Sequence, residues 1–528
     1  MPRQSDTSAN KGRISEISRR TLLGVGAGAA VAHTLSLPIS AQAQTPVRGG
    51  NFRIGLTGGN SSDSMDPMLG IVGVVRNVCY ATYDTLTELS PTGEVLPSLA
   101  ESFESSAGST QWIFNIRKGV QFHDGRSLTA DDVVYTIGRH IAPNSRSPLR
   151  GILGGITEVK KESSHQIRIS LRSGNAELPV YFNDYRASII PNGTTDFSKP
   201  VGAGGYKLVR FQPGVAAAGE RNPNYWKSGR GHLDSYEITV VNDAGARING
   251  LLTGEFDAIS EVDPKVAERV STRRGLTLMV TPSKNHTTLL MNTLAAPFSD
   301  NNVRQAVRHA FNRSQILKTS FFGYGEVGND NPIAKIDPMY NSQLPPRDYD
   351  PEKATFFLRK AGLENVAMEL FGGPGAGADA DTSGQVIQEN MNSIKGFNMK
   401  YTRTPGDGYH TDVVGKRPFV MNYVTGRPTA NLHLSFIYLS DSPVNRGDAP
   451  WKNEQFDQLV NVSRAEPDFA KRKQMLWDAQ EILYNDGNVS CYIFKSNLDA
   501  HSDKVKGFIK DATWDFCGGR AIDRVWMA

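Results

Sequence analysis

His123-Asp124 is a pair that could share a proton task, with an imidazole as base and a carboxylate to orient it. No nucleophile is supplied by any recognisable motif, because GxSxG and HExxH are both absent and no paired-carboxylate motif can be placed. A polar turn through His123-Asp124-Gly125 is the stronger reading. The glycine runs do not form phosphate loops either. Gly24-x-Gly26-x-Gly28 has no strand before it, and Gly372–Ala378 lacks a following Lys-Ser/Thr and reads as a flexible surface loop. Gly202-Ala203-Gly204-Gly205 could cradle an anion but fits a turn before a strand better. Cys79, Cys491 and Cys517 form no CxxC, and the ten histidines are scattered, so no catalytic residue, metal or cofactor is indicated. In an exported chain Cys491–Cys517 is the pair to test, with three buried free thiols as the alternative. In the run Tyr423-Val-Thr-Gly426-Arg427-Pro428, Arg427 carries a planar cation that suits a carboxylate or phosphate group. An internal salt bridge would use Arg427 equally well.

The elements around these residues are legible. Gln111–Arg117 alternates polar and apolar side chains about Trp112, Phe114 and Ile116, as a half-buried strand does. Thr129-Ala-Asp-Asp132 is a capping box that opens an amphipathic helix through Val133, Val134, Ile137 and Ile141. Pro297-Phe-Ser-Asp300 starts a second helix with an apolar stripe at Val303, Ala306, Val307, Ala310 and Phe311, in which Arg304 is expected to make a structural salt bridge. Asp350-Pro351 caps a third, which Ala361-Gly362 closes. Phe469–Asn485 is a long amphipathic helix. Strands are expected at His286–Asn292 and Val489–Phe494.

A chain of 528 residues exceeds one ordinary core, so two or three domains are expected. The net charge is only +4, and removing residues 1–43 with their five Lys/Arg and two Asp/Glu leaves 53 minus 52, or +1, which argues against nucleic acid or an anionic membrane as the main partner. Residues 1–43 read as an export signal. Ser18-Arg19-Arg20-Thr21-Leu22-Leu23 looks like a twin-arginine motif, a Gly/Ala-rich apolar stretch follows, and Ala41-Gln42-Ala43 offers a cleavage site. The mature chain then starts near Gln44, and with no cysteine there a lipid anchor is not expected. The expected compartment is the periplasm.

Phe114-Asn-Ile-Arg117-Lys-Gly-Val120-Gln-Phe-His123-Asp-Gly125, followed by Thr129-Ala-Asp-Asp-Val133, closely resembles the signature of the family 5 extracellular solute-binding proteins. These are the peptide- and nickel-type receptors of bacterial ABC importers. Asp66-Pro67 with Tyr83-Asp-Thr-Leu86, Val201–Tyr206, Arg221-Asn-Pro-Asn-Tyr-Trp226, Gly254–Asp257 and Pro297–Ala306 resemble further segments of the family. The resemblance implies an α/β, bilobed periplasmic-binding-protein fold of type II-like form, with the extra subdomain of peptide-binding receptors. Lobe 1 would span 44–285 with an inserted subdomain at about 85–205, lobe 2 would span 286–490, and 491–528 would return to lobe 1. It implies a monomer that captures a small-molecule or peptide ligand and docks to an ABC permease in the inner membrane. In relatives the loop after Asp-Pro reaches the cleft, which nominates Asp66, Met68 and Tyr83, and Trp514 either lines the cleft or packs beneath it. Tyr423 takes the aromatic place of a family motif. Gly426 falls where peptide-binding relatives carry the aspartate that pairs with an α-ammonium, and Arg427 stands beside it. The family as a whole implies a di- or oligopeptide as the ligand, whereas the change to Gly426 and Arg427 points to an anionic or sugar-conjugate solute, and a metal chelate is a further alternative. A periplasmic hydrolase is the remote alternative.

Overall fold

Trp112, Phe114 and Ile116 alternate into one core because Gln111–Ile116 lies inside a four-stranded antiparallel sheet. Its order is Ala100–Ser105, Gln111–Ile116, Gln166–Leu171, Ile156–Ser163. The structure is a computed structural model that describes residues 45–528 apart from Ile71 and Val72, so the expected signal at 1–43 lies outside the described residues. Helix Ala130–Ile141 packs against the sheet through Val133 and Ile137. At its start the Thr129 N–H donates to the Asp132 carboxylate at 2.7 Å, and the two acids of the first turn meet the positive end of the helix dipole.

The His123 turn is a clasp. The His123 N–H donates to the Gly202 carbonyl at 2.8 Å, and its ring Nε2 lies 3.0 Å from the Gly204 carbonyl oxygen, while Asp124 pairs with Arg126. A β-carbon on Gly202 would fall 2.0 Å from the Thr82 oxygen, and one on Gly204 would fall 2.4 Å from the Ala81 oxygen. Only glycine lets this turn lie against the end of helix Gly73–Thr82.

The main sheet runs in the order Phe397–Arg403, Val366–Gly372, Phe419–Val424, Leu276–Met291, Val489–Ser502, Ala258–Ile259, Asn51–Leu56, Ser235–Val240, Ala216–Arg221, Tyr206–Gln212. Two of these strands are much longer than the sequence suggests. The strand expected at 286–292 is only the second half of Leu276–Met291, and the one expected to end at Phe494 continues to Ser502. They pair antiparallel along their lengths, 276–282 with 496–502 and 286–290 with 489–494, with a bulge between Pro282 and His286. The Pro-Ser-Lys-Asn run at the bulge looks locally like a strand terminus, but the partner strand carries the pairing past it. On one side of the bulge the sheet packs a core containing Phe52, Ile54, Val78, Tyr236 and Phe516. On the other it packs one containing Leu289, Val303, Leu370, Phe419 and Ile493. This is a mixed α/β fold of two lobes joined by two crossing strands.

The second lobe is braced by buried cations. Arg304 pairs with Asp486 at 2.9 Å and donates to the Gly487 carbonyl at 3.1 Å. Asp330, fully buried, holds Arg313 at 2.7 Å, Arg347 at 2.9 Å and the Ser490 hydroxyl at 2.6 Å, which ties the second crossing strand into the lobe. Gly372–Ala378 is packed against its neighbours, which corrects the expectation of a flexible surface loop. A β-carbon on Gly375 would sit 2.3 Å from that of Tyr409. The missing side chains let the segment lie flat on Tyr409 and deliver Asp379 to the space between the lobes. Cys79, Cys491 and Cys517 are three buried free thiols.

Candidate functional site in the interlobe cleft

The bulge residues Ser283, Lys284 and Asn285 form part of a cleft of about 690 Å³ bounded by both lobes. Asn285 Oδ1 accepts the Gly426 N–H at 3.0 Å. Lys284 Nζ lies 2.7 Å from the Asp337 carboxylate and 2.7 Å from the Pro428 carbonyl. This brings the Lys284 backbone against Gly426 so closely that position 426 cannot carry a side chain. On the second crossing strand Lys495 pairs with Asp379 at 2.6 Å and stands 4.8 Å from the centre of the Tyr423 ring. Burial pushes the Tyr423 phenol up to about 12, so it is a hydrogen-bond donor at neutral pH.

Arg427 is different from these lysines. Among the described residues it has no carboxylate within ion-pair reach, and its guanidinium stacks on Phe436 at 4.6 Å. Burial first, then the like charge of Arg186, holds its pKa below the ordinary arginine value. A cation in that setting favours an anion entering the cleft.

The facing wall mixes the carboxyl groups of Glu261, Asp263, Asp499 and Asp515 with Arg76, Arg247 and Lys265. Arg76 pairs with Asp515 and lies 4.8 Å from the centre of the Trp514 ring. Asp499, on the second crossing strand, accepts the Phe516 N–H at 2.7 Å and the Glu261 N–H at 3.4 Å. Glu261 and Phe516 have φ of 51° and 53°, so one carboxyl group fixes two left-handed turns. Burial, then the charge of Asp515, pushes the Asp499 carboxyl up to about 8. Away from the bulge the lobes touch directly. The Thr429 hydroxyl donates to the Glu177 carboxylate, the Ala176 N–H donates to the Arg464 carbonyl at 2.8 Å, and Leu432 packs into the subdomain core.

Tyr423, Gly426, Arg427 and Trp514 thus share this cleft, while Asp66, Met68 and Tyr83 do not line it. Asp66 binds Arg139 through both oxygens, at 3.1 and 2.5 Å, and caps a short turn by accepting the Met68 N–H. That turn is pinned to helix Ala130–Ile141 and does not line the cleft; the Met68 sulfur lies 4.0 Å from the Ser145 hydroxyl. Tyr83 is 1% exposed and donates to the Met65 carbonyl at 2.9 Å. Lys284, Asn285, Lys495, Asp499 and Asp515 escaped the sequence analysis, because no local pattern marks a bulge that two distant strands create together.

A cavity between two lobes, walled by opposed charges and closed by direct contacts, defines a protein that binds a solute by enclosing it. The chain belongs to the bacterial extracellular solute-binding proteins, family 5: the profile described as "Bacterial extracellular solute-binding proteins, family 5 Middle" matches residues 94–444. It is 26% identical over 497 residues to a dipeptide-binding protein of Escherichia coli, covering 85% of this chain and 91% of that protein. It is 27% identical over 489 residues to heme-binding protein A of Haemophilus influenzae, covering 84% and 87%. The fold is similar, with a TM-score of 0.74, to the binding protein AgaA of A. tumefaciens in complex with agropinic acid, at 24% identity, 91% coverage of this chain and 99% of that one.

Proposed function

We propose that this protein is the periplasmic substrate-binding component of an ABC importer, and that its solute presents a carboxylate to Arg427. The observation that carries the ligand assignment is the guanidinium of Arg427, which faces the cleft without an internal counter-ion among the described residues. Dipeptides, heme and agropinic acid, named for the relatives above, all bear carboxylates. A di- or oligopeptide fits the cleft volume and is the assignment we favour. A peptide's α-ammonium would have to find its partner among the carboxyl groups of the facing wall, because Gly426 offers none. A sugar–amino acid conjugate is the second candidate, supported by the same arginine and by the fold's likeness to the agropinic acid complex. The mature protein works as a monomer, is exported on the twin-arginine signal of residues 1–43, and closes on its solute before docking to the permease.

Native mass spectrometry of protein taken gently from its own periplasm tests this. The expected result is a retained mass that contains a carboxylate. Its affinity should fall by roughly 10- to 150-fold in Arg427→Ala, the loss of one charge-assisted hydrogen bond of about 1.5–3 kcal/mol. Unchanged affinity in that variant would remove Arg427 from the site.

A further inference from the structure

Tyr423 and Arg427 also wall a second space, a side chamber of about 230 Å³ inside the second lobe. Pockets that enclose a whole small ligand start at about 300 Å³, so this chamber takes part of a solute. Its polar lining includes Asn422 within strand Phe419–Val424, Asp448 at the end of helix Pro443–Asp448, and Asn488 just before the second crossing strand. Asn422 and Asn488 are 7% and 3% exposed, and the amide oxygen of each has no hydrogen-bond partner among the described residues. The Asn488 amide is fixed in orientation, since its nitrogen donates to the Ala449 carbonyl. A buried acceptor left unmet costs about 1–3 kcal/mol, which a donor brought in by the solute would recover. Asp448 makes no ion pair among the described residues. Burial raises its affinity for a proton, and the opposing influence is His410 alone. Leu290, Val424, Ile437 and Val444 supply apolar wall, and Arg427, His410, Thr425 and Asn445 supply polar wall, so a cation in the chamber must sit on the Asp448 side, away from the Arg427 guanidinium.

We infer that this chamber is a specificity subsite for a compact cationic hydrogen-bond donor, a guanidinium or primary ammonium group carried by the solute. Asp448 balances its charge, and Asn422 and Asn488 accept its N–H groups. The claim that the same solute also offers a carboxylate to Arg427 rests on the proposed function; the chamber's own chemistry does not.

The purified protein is titrated with n-butylguanidinium and its neutral isostere n-butylurea, and separately with the dipeptides Ala-Arg and Ala-citrulline. The guanidinium probe should bind at least about tenfold more tightly than the urea, a difference of about 1.4 kcal/mol. That preference should shrink to within twofold in Asp448→Asn. Asn422→Leu, a near-isosteric change at a separate residue, should weaken guanidinium binding independently. No guanidinium binding, or a preference that survives Asp448→Asn, overturns the subsite. Dipeptides that bind equally well with arginine or citrulline also overturn it while leaving the peptide reading intact. Dipeptides that fail while n-butylguanidinium binds through Asp448 sink the peptide reading and uphold the subsite.

Discussion

A β-carbon added to Gly426 would lie 2.2 Å from the β-carbon of Lys284 and 2.7 Å from its carbonyl carbon. The bulge of the first crossing strand therefore occupies the volume that a side chain at 426 would need. Gly426→Asp should not create an ammonium site. It should push the bulge away and cost about 1–3 kcal/mol, as overpacking does. Thermal unfolding and solute titration would both register the change, and a Gly426→Asp variant of full stability would show that the bulge yields.

Asp330 neutralises two guanidiniums in a region that water does not reach. Asp330→Ala strands both charges, and breaking a buried pair in this way costs about 3–5 kcal/mol. Denaturant unfolding should show that loss, with the second lobe affected first. A loss under about 1 kcal/mol, the range of exposed pairs, would mean that the arginines find other partners.

Asp499 gives a pH dependence of defined sign. Its carboxyl titrates at about 8 in the folded protein, against about 4 in an unfolded chain. Between these values the folded state keeps a proton that the unfolded state releases, so this group's contribution to stability is present below about pH 4 and declines as pH rises through about 8. Asp499→Asn should flatten the slope of melting temperature against pH across that window. An unchanged slope would assign the titration to another group.

Thr429 and Glu177 join the second lobe to the subdomain by a single side-chain hydrogen bond. Burial holds the Glu177 carboxyl above its usual pKa. Thr429→Val removes the donor and leaves that carboxylate unsatisfied, so the ligand-free protein should shift toward an open form, with a larger radius of gyration by small-angle scattering. Added solute should restore the compact form at a higher concentration than wild type needs. Identical scattering curves would reduce the bond to a passive contact.

Several elements are readable in the sequence because their determinants are local. The alternation at Trp112-Ile-Phe114, the Thr129–Asp132 cap and the Asp350-Pro351 helix start each act within a few residues, and each stands in place. The cleft was only half readable. Tyr423 and Arg427, nominated through the family resemblance, line the cleft, whereas Asp66 and Tyr83, nominated the same way, are consumed by internal partners. Lys284 and Asp499 acquire their roles only when residues 276–291 and 489–502 pair, and no window of sequence contains both.

The second crossing strand also sets an order of assembly. The Ala258–Ile259 strand of the first lobe waits for Ala500 and His501, and Phe52 waits for Phe516, which stacks 6.4 Å away. The first lobe, although most of its residues are translated early, cannot complete its sheet until residues near 500 have left the ribosome. Long-range closure of this kind slows folding in general, because the loop entropy must be met before the distant contacts form. An unfinished first lobe exposes open strand edges, which are templates for pairing with another chain.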